Sequence, residues 1–269
     1  MTFIKRPRFD PGLFPEGNLH LKAILRHFGK FTPRRLLIPD GLRFIFIVYT
    51  NRSGSNFLAD AIASSGKINF AGEFFNRDVV IDHSIKEKFS DIEQYFEFLI
   101  RHIAKNSILC AKLSVHHLDI LIASGIMDQI LRYSTFVHIT RDRVLEQAVS
   151  FDIARQTNRW TSHSDVPAKE SDLEFSRDSI EAVIRSIEIQ NIMIKRFMVD
   201  NKITPISISY EDLIDNPQKI LWFIGGTLAM PGITYHKERI MHERQSNHIN
   251  AAWIELYLNG NGYSPKHKD

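Results

Sequence analysis

At 269 residues, with 43% apolar and 24% charged side chains, the chain is long enough for a substantial buried core and too apolar to be disordered. A formal charge of +3 suits an anionic ligand but falls well short of the basic footprint of a dedicated nucleic-acid binder. Cys110 is the only cysteine, which excludes an internal disulfide and fits a reducing compartment.

Residues 1–40 read as an irregular arm, rich in proline and basic residues, around one helical patch, LHLKAILRHF. The first residues carry prolines and charges where a signal peptide needs an apolar stretch. The longest apolar run, FIFIVY, is too short to cross a bilayer, so a cytoplasmic protein without a membrane span is expected. RFIFIVYT is a strand. In SNFLADAIASSG, Phe57, Leu58, Ala61 and Ile62 have helical spacing, and Gly66 closes the helix. INFAGEFF returns to strand character.

Residues 91–105 form an amphipathic helix, and SILCAKLSV is a second buried strand. HHLDILIASGIMDQIL is helical with a break at Gly125. STFVHIT is a third strand, followed by a helix from about Arg143 to Arg155. Beyond the polar stretch TSHSDVPAKESD, Ile180, Val183, Ile184, Ile187, Ile194, Phe197 and Met198 mark one face of a long helix. ITPISISY is a fourth strand, and NPQKILWFIGGTLAM a helix opened by proline. Strands alternating with helices predict an α/β fold: a mostly parallel central sheet flanked by helices, in one domain spanning 41–269 behind the arm.

In such sheets ligands bind beyond the carboxyl ends of the strands. TNRSGSN lies there, between strand and helix. Gly54 permits a tight turn, and the amides from Ser53 to Asn56 would face outward at a helix N-terminus, where the dipole favours negative charge. Thr50, Ser53 and Ser55 add hydroxyls, and Arg52 a charged fork suited to phosphate or sulfate. The nucleotide loop GxxxxGK[ST] is absent, and a serine-capped structural turn accounts for the same residues. A second strand end, at STFVHITR, places Arg141 near Ser150 on the following helix. Two anion-suited corners in one sheet point to a ligand with two separated phosphate-like groups.

TNRSGSNFL, GEFF, FVHITRDRVLEQAVSFDIARQTNRW and ISYEDLIDNP together resemble a sulfotransferase, and more narrowly the bacterial trehalose 2-sulfotransferase-like carbohydrate sulfotransferases. The resemblance runs from about residue 44 to ERQSNHINAAWIELY and leaves residues 1–40 outside. It implies a phosphate-loop-like strand–loop–helix and 3′-phosphoadenosine 5′-phosphosulfate as co-substrate, with no metal. Arg52, Ser53, Gly54, Ser55 and Asn56 match the loop that cradles the 5′-phosphosulfate, Asn56 standing where threonine is more usual. Arg141 and Ser150 match the pair that binds the 3′-phosphate. Their spacing of nine is one more than the general pattern, and Arg143 offers a competing register.

Glu73 in GEFF matches the family's general base, and Arg244 with Gln245 the segment that closes over the donor. The resemblance implies that Arg52 and the loop amides stabilise the departing bridging oxygen, with Lys112 assisting. Lys112, at a strand end, fits either a place facing the transferring group or a solvated one. His116, His117 and Trp160 are the candidates for contact with an acceptor sugar, although each also fits a structural role. The implied acceptor is a carbohydrate or glycolipid, and the resemblance leaves a homodimer open. Two other readings stand beside it. A divergent phosphate-loop kinase or NTPase would need a loop lysine and a magnesium carboxylate. A non-catalytic nucleotide- or glycan-binding module would have no use for Glu73.

Overall fold

The structure, a computed structural model, describes residues 4–7, 16–158, 160, 173–242 and 248–260. The elements follow in chain order: α1 (Leu19–Phe28), β1 (Arg43–Tyr49), α2 (Ser55–Ser64), α3 (Arg77–Glu87), α4 (Ile92–His102) and β2 (Ile108–Leu113). Next come α5 (Val115–Ala123), α6 (Ile126–Ile130), β3 (Ser134–Thr140), α7 (Val144–Thr157) and α8 (Arg177–Asp200). The chain then forms β4 (Ile206–Ser209), α9 (Tyr210–Asp215), α10 (Pro217–Thr227) and α11 (His248–Asn259).

The four strands form one parallel sheet in the order β2-β1-β3-β4. In β1, alternate residues feed two separate cores. Phe44, Phe46 and Val48 join Leu109, Ala111 and Phe136 on one face, while Ile45, Ile47 and Tyr49 join Cys110, Val137 and Ile208 on the other. Burial on both sides is why β1 reads as an unbroken apolar run. The first face is covered by α1, α4, α5, α6 and the second half of α8, and the opposite face by α2 and α10. The first half of α8 leaves the sheet and packs on α7 and α11 through Ile180, Val183, Ile187 and Trp253.

The helix ends follow their sequence signals. Gly125, at φ 74°, separates α5 from α6. Ser114, Ser176 and Asn216 accept backbone N–H groups at the starts of α5, α8 and α10, the last with proline in its first turn. The predicted strand at INFAGEFF does not form. Only Gly72 bridges to Ala111 beside the outer strand, because the Asn69 side chain occupies the edge instead. Its Oδ1 accepts from the Cys110 N–H at 2.8 Å, and its Nδ2 donates to the Cys110 carbonyl at 2.8 Å. The polar stretch at 161–172 lies outside the described residues. Among the described residues no helix is long and apolar enough to cross a membrane.

Phe46 is fully buried, between Phe44 at 6.1 Å and Phe136 at 5.5 Å, centroid to centroid. Phe46→Ala should lower unfolding free energy by about 3–5 kcal/mol, the usual cost of emptying an aromatic site in a packed core. Urea denaturation with an unchanged m-value is the measurement that checks it.

Candidate active site at the strand ends

A cavity of about 1170 Å³ opens at the carboxyl edge of the sheet, lined by residues from all four strand exits. β1 leaves through Thr50–Gly54, where Arg52 takes φ 64° and Gly54 φ 90°. Gly54 is needed twice over: its backbone is left-handed, and a Cβ there would run into the ring of Tyr210, 2.9 Å from Cε2. The loop delivers α2 with its N-terminus uncapped by any side chain and without an acid in its first turn. The first intrahelical bond is Leu58 N–H to the Gly54 carbonyl, so the N–H groups of Ser55, Asn56 and Phe57 have no acceptor within the helix. All three residues line the cavity, an arrangement whose dipole and free N–H groups suit an anion.

The other loop residues serve beneath it. Thr50 is buried, and its Oγ1 accepts from Gln147 Nε2 at 3.0 Å, while the same amide donates to the Asn51 carbonyl at 2.7 Å. Ser53 is fully buried, does not line the cavity, and commits its N–H to the Thr50 carbonyl. Its buried hydroxyl has no hydrogen-bond partner among the described residues.

At the exit of β2, Lys112 is 5% exposed, with its Nζ bonded to Asn56 Oδ1 and 3.2 Å from Glu73 Oε1. The ammonium also lies 5.5 Å from the centre of the Tyr49 ring. Glu73 reaches this place because Gly72 is pinned to the sheet edge by the Lys112 N–H, which donates to its carbonyl at 2.9 Å. Burial pushes the Glu73 carboxyl up, but Lys112, His117 and the Tyr49 hydroxyl together outweigh it and hold the group below its ordinary value. Burial and the same carboxylate drive the Tyr49 phenol well above its own. Lys112 is thus a buried bridge between the loop and Glu73, not a solvated strand end.

At the exit of β3, Arg141 lines the cavity and stacks 4.9 Å from the Tyr210 ring centre. One terminal nitrogen pairs with Glu146 at 2.7 Å, while its buried Nε has no partner. Arg143 is two-thirds exposed, pairs with the same Glu146 at 3.3 Å, and stays outside the cavity. Between the two registers open in the sequence, Arg141 is the one that faces the site.

Ser150 lines the cavity with Arg141, and its Oγ accepts from Arg52 Nε at 2.9 Å, which joins the two anion-suited corners. Burial first, and then the neighbouring Arg141, lower the Arg52 guanidinium below its ordinary value. The two arginines accordingly share one positive pole.

Trp160 lies with this pole. Its carbonyl accepts from Arg52 at 3.2 Å, and its ring packs edge-on to Phe151 at 5.5 Å. His116 lines the same cavity, its carbonyl accepting from Asn18 at 2.8 Å. His117 is buried and completes a capping box with Ser114 at the start of α5. Burial lowers His116 to about 4 and His117 to about 3. Arg244 and Gln245 fall outside the described residues. Just before them, the buried Asp60 of α2 accepts the N–H groups of Met241 and His242 at 2.9 and 2.7 Å, tying that segment to the wall of the cavity.

Sequence reading missed Tyr210, Gln147 and Glu211. Tyr210 and Glu211 open the YEDL element. Tyr210 is sandwiched between Gly54 and Arg141, and Glu211 accepts the Asp142 N–H at 3.0 Å, fixing the β3–α7 turn. An uncharged amide on the buried side of α7 was the available signal for Gln147.

Together the parallel sheet, the left-handed loop and the uncapped helix end define an anion-binding α/β protein of the phosphate-loop kind. The model of the Stf0 sulphotransferase family matches residues 114–259, more than half of the chain, and the chain belongs to that family. The match begins at Ser114. It takes in Arg141 and Ser150, and the loop at 50–56 and Glu73 lie before it.

Trehalose 2-sulfotransferase of Mycobacterium tuberculosis is 30% identical over 135 residues, covering 50% of this chain and 49% of that protein. The trehalose 2-sulfotransferase of Mycolicibacterium smegmatis is 27% identical over 134 residues, covering 50% and 49%. The similarity thus spans about half the length of these curated relatives. The sulfotransferase domain from the curacin biosynthetic pathway shares the fold, with a TM-score of 0.52 at 17% identity, over 81% of this chain and 86% of that domain.

Because the anion seat depends on Gly54, Gly54→Ala should abolish the thermal stabilisation that millimolar inorganic pyrophosphate gives the native chain. Differential scanning fluorimetry with and without pyrophosphate checks this. The variant should retain a single cooperative transition.

Proposed function

We propose that this chain transfers a sulfuryl group from 3′-phosphoadenosine 5′-phosphosulfate to a carbohydrate hydroxyl, with Glu73 as general base. The observation that carries the proposal is the contact chain Asn56–Lys112–Glu73. It sets an ionised carboxylate one ammonium away from an uncapped helix N-terminus, inside one cavity. The family and the names of the two mycobacterial relatives support sulfuryl transfer and a sugar acceptor.

The residues present fit such a donor. Three free N–H groups at α2 and the Arg52 guanidinium suit the 5′-phosphosulfate, and the unpartnered Nε of Arg141 suits a second phosphate. The donor supplies the sulfuryl group and leaves as adenosine 3′,5′-bisphosphate. At Glu73 the acceptor hydroxyl loses its proton as the new O–S bond forms. The bond from sulfur to the bridging oxygen breaks, and Lys112 with the α2 amides stabilises the charge left there. In a loose transition state of the phosphoryl-transfer type, proton loss comes late. A base ionised at neutral pH therefore serves better than a strong one, and the Lys112 contact keeps Glu73 ionised.

Transfer of labelled sulfate from the donor across a carbohydrate panel tests the proposal, and no transfer to any sugar, trehalose included, would overturn it. Glu73→Gln should bind adenosine 3′,5′-bisphosphate normally yet lose about 10²–10⁴-fold in kcat, the usual worth of a positioned base. The sign of the Glu73 shift sets the pH dependence. A depressed carboxyl stays charged until the pH falls below its ordinary 4.5, so kcat/KM should show no acid limb from Glu73 above that pH.

Arg141→Ala should weaken adenosine 3′,5′-bisphosphate by about 10–100-fold, the range of a charge-assisted hydrogen bond, and the 5′-monophosphate far less. Calorimetric titration of both nucleotides separates the outcomes, and equal losses would remove Arg141 from the 3′-phosphate.

A further inference from the structure

The arm that precedes the sheet contributes a wall of the same cavity. α1 begins at Asn18, whose Oδ1 caps the helix at the Leu21 N–H at 3.1 Å. Its Nδ2 donates to the His116 carbonyl at 2.8 Å and to Asp119 Oδ2 at 3.0 Å. Arg6 donates to the other oxygen of Asp119 from Nε at 3.0 Å and from Nη2 at 2.8 Å. Asp119 is 4% exposed, so a buried carboxylate on α5 clamps the arm at two points.

In the first turn of α1, this clamp brings His20 to the cavity that Glu73, Asn76, His116 and His117 also line. The His20 ring stands edge-on to His117 at 5.3 Å and tilted to His116 at 6.1 Å. The Arg77 N–H donates to its Nδ1 at 3.1 Å, which fixes the neutral tautomer with the hydrogen on Nε2.

Resting on the sulfuryl-transfer reading, we infer that α1 builds the acceptor subsite and that His20 binds a hydroxyl of a neutral sugar there. Asn56, Lys112 and Glu73 are joined by direct contacts, Glu73 interacts electrostatically with His117 and His20, and the His20 ring packs on the His117 ring. An acceptor touching Glu73 therefore meets this imidazole cluster next. Burial keeps all three rings largely uncharged near neutral pH, which suits hydroxyls rather than a phosphorylated or acidic acceptor. The matched family region begins at Ser114, so α1 lies outside it.

The test uses the full chain, trehalose as probe, and two readouts. His20→Ala should raise KM for trehalose about tenfold, the loss of one hydrogen bond, with a smaller change in kcat. Affinity for adenosine 3′,5′-bisphosphate should be unchanged by calorimetry, and His20→Gln should restore most of the KM. Asn18→Ala, which loosens the clamp without touching the ring, should raise KM in the same direction.

An unchanged KM, or bisphosphate affinity lost in parallel with it, would overturn the subsite. So would a native chain that binds the bisphosphate but neither sulfates nor binds trehalose. A native chain that does not bind the bisphosphate would instead overturn the reading on which the subsite rests.

Discussion

Four strands running in the same direction must all end at the same edge, and the site follows from that constraint. β1 ends at the anion loop, β2 at Lys112, β3 at Arg141 and β4 at Tyr210. Each exit alone is an ordinary turn. Brought to one edge, they place a guanidinium over an aromatic ring, that ring against a glycine, and an ammonium between a carboxylate and a helix terminus. A parallel sheet is stable only when helices bury both faces, so the two cores on either side of β1 are what keep these exits aligned.

Tyr210 shows how closely the exits depend on one another. Its ring occupies the space a side chain at position 54 would fill, and its other neighbour is the Arg141 guanidinium. Glu211, the next residue, accepts from Asp142 and so fixes the turn that carries Arg141. The fourth strand therefore need not touch a ligand to matter. It sets the height of the loop floor and the position of the second arginine. Gln147 does the same from α7, with one amide joining Thr50 and Asn51 to the helix that presents Ser150.

The parallel sheet and its covering helices were legible in the sequence because apolar periodicity and Gly or Ser punctuation report local structure directly. Phe44 to Tyr49 and the apolar face of Ile180 to Met198 are cases in point. The turn between β1 and α2 was legible as well, since Gly54 and its polar neighbours sit between strand and helix. Partner choice was not legible. Nothing local to position 69 says that an asparagine side chain will occupy a sheet edge where a strand was expected. Nothing in the spacing of Arg141 and Ser150 says that the serine will take its bond from Arg52. Such choices are settled by three-dimensional proximity between residues 41 and 98 positions apart, which periodicity cannot report.

Lys112 is where burial and chemistry meet. A lysine sealed to 5% exposure is costly unless its charge is answered, and here Glu73, Asn56 and the Tyr49 ring answer it. The same contacts tie the carboxylate to the loop, so Glu73, itself 37% exposed, cannot move without leaving the Lys112 charge buried and unbalanced. The carboxylate and the helix end are therefore held in fixed relation by contacts within the protein, which is the condition for electrostatic stabilisation without reorganisation. The arm adds to this rigidity from outside the matched family region. Asp119, answered by Arg6 and Asn18, repeats on the neighbouring helix the device that Lys112 uses on the strand: one buried charge joining two segments that the sheet alone would leave apart.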